Sequence, residues 1–214
     1  RLGRRPPFAW IPIPSNVPVV ADPGGARELR ARLLPGGGHL LGHFGTYRPN
    51  VRELLAAILP PVLERSPDRA VLLLGRGGAE FREGLLRRHP ELAERVHAAG
   101  PLPAAEVSVH LAACDLLVQP YPDGANGRQT SLAAGLAHGR PVVTTRGEST
   151  EAIWEESGAV ALAPAGDAAA AAECVERLLG DGEARRRMGE AAAELYRSRF
   201  DLRHTIEALR AAPR

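Results

Sequence analysis

The stretch QPYPDGANGRQTSLAAGLAHGRPVVTT, residues 119–145, decides the fold of this chain. An apolar run at residues 115–118 leads into it, and a loop rich in proline and glycine follows. Small residues with helical spacing then occupy about residues 130–138, and a second apolar run follows at 141–144. Because short apolar runs favour strands and proline and glycine mark turns, this order predicts strand, loop, helix and strand. The small side chains would let the helix lie close against a sheet.

The start of this predicted helix has the composition of an anion site. Backbone N–H groups in a first helical turn lack partners within the helix, and the aligned peptide dipoles place positive charge there. Thr130 and Ser131 add hydroxyls, Gly127 lets the chain approach a ligand, and Arg128 offers a planar fork of donors. We interpret the loop as a cradle for a nucleotide diphosphate. The alternative is structural: Thr130 or Ser131 as N-cap, a turn glycine and a solvated arginine.

Apolar runs and helical patterns alternate along the whole chain. Strands are predicted at residues 39–45, 70–74, 96–98, 115–118, 141–144 and 159–162, and helices at 26–34, 51–64, 81–88, 91–96, 104–113, 130–138, 168–179, 183–199 and 202–212. Pro60 and Pro61 should kink or divide the helix at 51–64. The alternation predicts a doubly wound, Rossmann-like α/β fold with a parallel sheet of about six strands.

The prolines of FAWIPIPSNVPVV, residues 8–20, forbid a central strand or helix and predict an extended linker. The chain opens on Arg1 rather than Met and shows no signal-peptide pattern, so we expect it to be a segment of a longer protein. We therefore divide it into a linker and entry helix (1–38), a nucleotide-binding domain (39–180) and carboxy-terminal helices (181–214).

Composition excludes several classes of function as first choices. The chain has 27 basic residues, all arginine, against 25 acidic ones, so nucleic acid is not an expected partner. Cys114 and Cys174 match no metal or redox spacing, and buried free thiols would fit a cytoplasmic location. No apolar run approaches the roughly eighteen residues that span a bilayer, so the sequence gives no support to membrane association, which stays open for a longer protein.

The run at residues 127–143, G-x-x-x-S-L-A-A-G-L-A-H-G-R-P-V-V, resembles the donor-binding signature of retaining GT-B glycosyltransferases, family 4 (glycosyl transferases group 1). In that family two glutamates eight residues apart flank the glycine-rich helix start, and a Gly-x-Pro-Val-Val strand follows. When the two are aligned on Gly139, the glutamate positions hold Asn126 and Ala134. The second glutamate usually holds the donor ribose, and Ala134 cannot make that contact.

Other loops extend the resemblance. Gly45 and Thr46 follow the first predicted strand, where the family closes a loop over the donor phosphates before an Arg and a Lys-Gly pair. Here Arg48 is the nearby cation, with a surface arginine as the alternative reading, and Pro49 and Asn50 stand at the Lys-Gly pair. The residues that the resemblance implies for the donor diphosphate are Gly45, Thr46, Arg48, Asn126, Gly127, Arg128, Thr130 and Ser131.

The loop at residues 146–151 follows the strand beyond the cradle. Ser149 or Thr150 is expected to cap the next helix. Family members often place a glutamate close to the donor here, so the resemblance implies that Glu148 and Glu151 contact the sugar. The alternative for Glu151 is a helix-dipole contact alone.

The resemblance implies a glycosyltransferase whose carboxy-terminal domain binds a nucleotide-diphosphate sugar as substrate and needs no cofactor or metal. Arg128 would be the catalytic residue, since it would stabilise the departing diphosphate. The other partners would be an unidentified acceptor and an amino-terminal GT-B domain outside this sequence. We therefore expect this segment alone to be inactive, although it should bind nucleotide weakly. An alternative is a GT-B-like module that has lost catalysis and serves as a binding or assembly partner. A hydrolase or epimerase would need acid/base carboxylates that the sequence does not offer.

Overall fold

A sheet of six parallel strands lies at the centre of the computed structural model, which describes residues 10–211. The strands are β1 (His39–Phe44), β2 (Arg69–Leu74), β3 (Val96–Gly100), β4 (Leu116–Gln119), β5 (Val142–Arg146) and β6 (Ala161–Pro164). Their order across the sheet is β3-β2-β1-β4-β5-β6, and every neighbouring pair is parallel. This order confirms the predicted doubly wound, Rossmann-like fold.

Helices cover both faces of the sheet. They are α1 (Pro23–Leu33), α2 (Pro49–Glu64), α3 (Gly78–Leu86), α4 (Ala104–Ala113), α5 (Thr130–Ala137), α6 (Ala152–Glu156), α7 (Ala168–Gly180), α8 (Gly182–Leu195) and α9 (Leu202–Ala211). One core layer contains side chains of α1, α4, α5 and α8, and the other contains side chains of α2, α3 and α7. Along β2, Leu72 and Leu74 enter the first layer and Val71 and Leu73 the second, as expected for a strand that is covered on both faces.

The chain changes direction across the sheet between β1 and β4. β1 pairs with β2 along its whole length, but with β4 only at Leu41↔Leu116 and Gly42↔Leu117. Beyond Gly42 the two strands diverge towards their carboxyl ends. In an open α/β sheet this switch point is where the helices on the two faces leave a crevice for a ligand.

Helix α2 differs from the prediction at its start and at its two internal prolines. It begins at Pro49 and continues as a single element through Pro60 and Pro61, so the predicted division of the helix is wrong. Pro49 occupies a first-turn position, where a missing N–H costs nothing. Pro60 and the neighbouring Val62 are buried, and this packing near the end of the helix outweighs the loss of two N–H donors.

Smaller differences lie at other element ends. The predicted helix at 91–96 is instead a 3-10 turn at Pro90–Leu92. The predicted helix at 183–199 consists of α8, which ends at Leu195, and a π-helical turn at Tyr196–Phe200. Residues 10–22 have no regular secondary structure, as predicted for the linker, whereas positions 8, 9 and 212 lie outside the described residues. Both cysteines are buried free thiols, which confirms that prediction. Among residues 10–211, no helix combines the length and apolar composition needed to cross a bilayer.

Candidate functional site

A cleft of about 720 Å³ lies at the carboxyl ends of the strands, at the switch point between β1 and β4. Its walls come from the loops after β1, β2, β3 and β4 and from the first residues of α5. The predicted diphosphate residues that line it are Gly45, Thr46, Arg48, Asn126, Arg128, Thr130 and Ser131. The structure therefore brings together side chains from positions 45–48 and 126–131, which are separated by eighty residues or so of chain.

The amino-terminal end of α5 opens into this cleft. Within residues 10–211, the backbone N–H groups of Thr130 and Ser131 have no hydrogen-bond acceptor. The N-cap position belongs to Gln129, whose side chain accepts from the Asn126 N–H at 2.8 Å and donates to the Gly124 carbonyl at 3.1 Å. Gln129 thus braces the preceding loop without capping the helix. The alternative that Thr130 or Ser131 is the N-cap is wrong, and the helix end keeps free donors for an anion.

Hydroxyl groups extend this set of donors. The Ser131 Oγ lies 3.0 Å from the Tyr121 hydroxyl, and both side chains line the cleft. Burial raises the pKa of the Tyr121 phenol, so the group is neutral at pH 7 and keeps its proton for hydrogen bonding. Sequence reasoning missed Tyr121; the available signal was an aromatic residue in the Pro/Gly loop after an apolar strand.

Three arginines give the cleft a positive wall. Arg48, Arg76 and Arg128 line it and are exposed, and the ion pairs that the structure records in the described chain use other arginines. Asp123 also lines the cleft, so arginine charge exceeds carboxylate charge there. Sequence reasoning missed Arg76, because the GRGG turn after β2 was interpreted only through its glycines. A polyanion such as a diphosphate fits this charge distribution.

Gly127 faces the linker instead of the cleft. Its carbonyl accepts from the Ile13 N–H at 2.7 Å, and its own N–H donates to the Glu151 carboxylate at 2.8 Å. A Cβ built at Gly127 would lie 2.9 Å from Trp10 Cζ2 and 3.2 Å from Pro12 Cβ. Gly127 therefore permits close approach of the linker, whereas we expected close approach of a ligand. The linker and the loop before α5 are held together as one unit.

The Glu151 carboxylate is the centre of that unit. It accepts hydrogen bonds from the Trp10 indole N–H at 2.9 Å, the Trp154 indole N–H at 2.8 Å and the Gly127 N–H. Neither Glu151 nor the exposed Glu148 lines the cleft, so the structure does not bring these two glutamates to the predicted diphosphate residues that line it. Glu151 occupies the N-cap position of α6, but its carboxylate makes no hydrogen bond to a backbone N–H of that helix.

The expected cap of α6 is wrong. The Thr150 hydroxyl accepts from the Gly147 N–H at 3.0 Å, which closes the loop after β5 on itself. Neither Thr150 nor Ser149 bonds to the first turn of α6. The Thr150 hydroxyl is instead used by the Gly147 N–H across a tight turn, an alternative that hydroxyl side chains often take.

We expect Glu151→Gln to lower the free energy of unfolding by about 1–2 kcal/mol, because an amide NH₂ would replace one acceptor oxygen and face an N–H donor. Urea unfolding followed by tryptophan fluorescence would measure this, since Trp10 and Trp154 are the two tryptophans of the chain. Glu148→Gln is the matched control: Glu148 is exposed, and its substitution should change stability by less than about 0.5 kcal/mol. Equal unfolding midpoints for both variants would contradict the role given to Glu151.

At the floor of the cleft, two side chains bridge the diverging ends of β1 and β4. The Nδ1 of His43, on β1, lies 2.8 Å from the Val118 carbonyl oxygen of β4. The Nε2 of Gln119, on β4, donates to the Phe44 carbonyl of β1 at 2.9 Å. Where the ladder between the strands has ended, these reciprocal bonds hold the two strand ends together. Sequence reasoning missed both residues, because their meeting depends on strand order.

Side chains of the types that bind metal ions cluster away from the cleft. In the described part of the chain, Glu64, His89 and Glu91 lie close enough together to share a cation, and none of them lines the cleft. The cleft offers arginines, amide donors and hydroxyls, which suit an anion better than a cation. The expectation that no metal or cofactor is required stays a prediction.

Comparisons with known proteins agree with this geometry. A family model described as glycosyl transferases group 1 matches residues 38–181. The chain is 30% identical over 161 residues to a phosphatidyl-myo-inositol mannosyltransferase of Mycobacterium leprae, and the match covers 75% of this chain and 41% of that protein.

Solved structures share the fold. HepE of Anabaena, solved in complex with UDP and glucose, superposes with a TM-score of 0.72 at 19% identity, over 89% of this chain and 53% of that one. Sucrose-phosphate synthase of Thermosynechococcus elongatus gives a TM-score of 0.73 at 23% identity, over 95% and 53% of the two chains. The chain thus spans about half the length of each of these three proteins.

Proposed function

Since the chain belongs to the glycosyl transferases group 1 family, we propose that it is the carboxy-terminal, donor-binding domain of a GT-B glycosyltransferase and binds a nucleotide-diphosphate sugar. Support comes from HepE, which was solved with UDP, and from the mannosyltransferase relative. The chain spans about half of HepE and of sucrose-phosphate synthase, which supports its placement as one domain of two. The match to residues 38–181 supports the proposed division at 1–38, 39–180 and 181–214.

The observation that carries the proposal is the open end of α5. The backbone N–H groups of Thr130 and Ser131 have no acceptor among the described residues, and both residues line the cleft at the switch point of the sheet. The same cleft is lined by Arg128 and by two further arginines. Helix dipole, free amides and guanidinium groups each favour a phosphate, and here they converge on one volume.

The proposed chemistry is electrostatic. As the bond between the sugar and the diphosphate breaks, negative charge grows on the departing diphosphate. The Thr130 and Ser131 N–H groups and the Arg128 guanidinium would stabilise that charge, and they would do so without reorganising, because the helix holds the amides in place. The loop at Gly45 and Thr46 would close the opposite wall. Retention of anomeric configuration and membership of family 4 are part of the proposal through the resemblance of residues 127–143.

A second candidate is a module that has lost catalysis and serves as a binding or assembly partner. It is favoured by position 134, where the family's second glutamate is replaced by an alanine that is fully buried in the core. At position 126, the Asn126 side chain accepts from the Arg128 N–H at 3.0 Å and so holds the loop. Neither position supplies a carboxylate for the donor ribose or sugar.

We expect Arg128→Ala to weaken the binding of a nucleoside diphosphate about tenfold, since it removes a charge-assisted hydrogen bond from an exposed wall of the cleft. Calorimetric titration with uridine, guanosine and thymidine diphosphates would measure the effect. Arg32→Ala is the matched control, because Arg32 is exposed on α1 and lies outside the cleft. Equal losses in the two variants would reject the role of Arg128. If no nucleotide binds the unchanged chain, the assembly module is favoured.

We also expect negligible glycosyl transfer by this chain alone. The proposed acceptor site and the sugar contacts of the amino-terminal domain lie outside these residues. Robust turnover in an assay with radiolabelled donor would overturn this expectation. A cytoplasmic location is a further part of the proposal, supported by the buried free thiols of Cys114 and Cys174.

A further inference from the structure

His43 has one buried acceptor beside the cleft. Its side chain is buried, with 2% of its surface exposed, and its Nδ1 lies 2.8 Å from the Val118 carbonyl oxygen. A carbonyl can only accept, so Nδ1 carries the hydrogen and Nε2 of the neutral ring is an acceptor. Burial lowers the pKa of His43 to about 4, so the ring is neutral at pH 7. Nε2 has no hydrogen-bond partner in the described chain.

Gln119 presents a second acceptor. The residue is fully buried, and its amide nitrogen donates to the Phe44 carbonyl at 2.9 Å. That bond fixes the orientation of the amide, because the carbonyl accepts and only the NH₂ end can donate. The other end, Oε1, has no hydrogen-bond partner among the described residues. Both Gln119 and His43 line the cleft, one from each strand at the switch point.

The His43 acceptor lies beside the proposed diphosphate cradle. A Cβ built at Gly45 would lie 3.8 Å from the His43 Nε2 and 3.6 Å from the Ser131 Oγ. The space next to Gly45 is therefore bounded by the histidine on one side and by the first turn of α5 on the other. A donor whose diphosphate rests on α5 would place a neighbouring part of its structure over His43.

The chemistry of that part follows from the two unpartnered acceptors, His43 Nε2 and Gln119 Oε1. A buried acceptor without a donor is costly, and a ligand that supplies the hydrogen recovers the loss. An ionised diphosphate has oxygens that only accept, so it would repel both atoms. Hydroxyl groups can donate, and a nucleotide sugar carries them on its ribose and on its hexose.

We propose that His43 Nε2 and Gln119 Oε1 act as a hydroxyl-reading pair, which accepts hydrogen bonds from sugar hydroxyls of the bound donor and so contributes to its selection. This inference rests on the proposed function, because it needs a nucleotide sugar in the cleft. It assigns the floor of the cleft to sugar hydroxyls and the arginine wall to phosphate.

The test compares ligands that differ by one hydroxyl. Calorimetric titrations of the chain would use UDP-glucose and GDP-mannose, together with analogues of each that lack a single hydroxyl of the ribose or of the hexose. For the unchanged chain, at least one deoxy analogue should bind about tenfold more weakly than its parent. If the weakened analogue lacks a ribose hydroxyl, the pair contacts the ribose; if it lacks a hexose hydroxyl, the pair contacts the hexose.

The variants His43→Phe and Gln119→Met remove the acceptors and should reduce this ratio to within about twofold for the hydroxyl concerned. His97→Phe is the matched control: His97 also bonds a backbone carbonyl through one ring nitrogen, but lies outside the cleft, and its variant should keep the tenfold ratio. A ratio of affinities separates the contact from general damage to the fold.

Three outcomes overturn the proposal. If the unchanged chain binds every deoxy analogue as tightly as its parent, the hydroxyl-reading pair is refuted while nucleotide binding stands. The same holds if both variants keep the tenfold ratio. If neither nucleotide sugar binds at all, the proposed function itself fails, and the pair fails with it.

Discussion

Replacing Ser131 with aspartate is expected to weaken nucleoside diphosphate binding at least about a hundredfold while leaving the fold no less stable. The carboxylate would stand in the first turn of α5, beside the unpaired amides that are proposed to hold the phosphates. Two like charges a few ångströms apart repel by several kcal/mol in a partly buried site. The same charge is favourable for the helix itself, by about 0.3–1 kcal/mol, because it complements the helix dipole.

The matched control for this variant is Ser131→Asn, which has nearly the shape of aspartate but no charge. We expect its affinity to stay within about tenfold of the unchanged chain, since it loses at most one neutral hydrogen bond. Titration with UDP and GDP gives the affinities, and thermal unfolding gives the stabilities. Equal affinities for the aspartate and asparagine variants would show that the phosphates do not lie at this helix end.

The second large effect is expected from Gly75→Ala, which should lower the free energy of unfolding by roughly 2–4 kcal/mol. Gly75 has a φ of +108°, in a region that side chains rarely adopt, and its N–H donates to the Gly100 carbonyl at 3.1 Å. A Cβ there would lie 2.2 Å from the carbonyl oxygen of Gly45. Since this is a contact with backbone, the loop at Gly45 must move, and that loop is a wall of the cleft.

Gly180→Ala is the control for Gly75→Ala. Gly180 is the last residue of α7, and a Cβ there would meet nothing within 4 Å. Its replacement should leave stability unchanged or raise it by up to about 1 kcal/mol. Thermal unfolding of the two variants gives the comparison, with an expected fall of roughly 5–15 °C in Tm for Gly75→Ala alone. A fall below about 2 °C would mean that the two loops are free to separate.

Much of the fold could be predicted because local sequence patterns determine most of its strands and helices. The apolar run at β2 is buried on both faces, and only a strand in the centre of an α/β sheet needs such a sequence. Helix α4 has the predicted bounds for a related reason: Pro103 precedes it, and β4 follows after only Cys114 and Asp115. Element ends were less accurate where packing decides them, as in α2, which runs through two prolines.

The diphosphate cradle could be predicted in part for the same reason. Thr130, Ser131 and Arg128 are adjacent in sequence to the start of a helix, so a local pattern locates them together. By contrast, His43 and Gln119 meet only because β1 and β4 are neighbours, and strand order cannot be read from one run of residues. Glu151 illustrates the same limit: its partner Trp10 is 141 residues away in the chain.

The most direct test of the diphosphate cradle is a crystal structure of this chain with UDP or GDP bound. We expect phosphate oxygens within about 3.2 Å of the Thr130 and Ser131 backbone nitrogens, with the Arg128 guanidinium in contact with the same diphosphate. A nucleotide whose phosphates lie away from the start of α5, with those two amides unbonded, would contradict the proposed function.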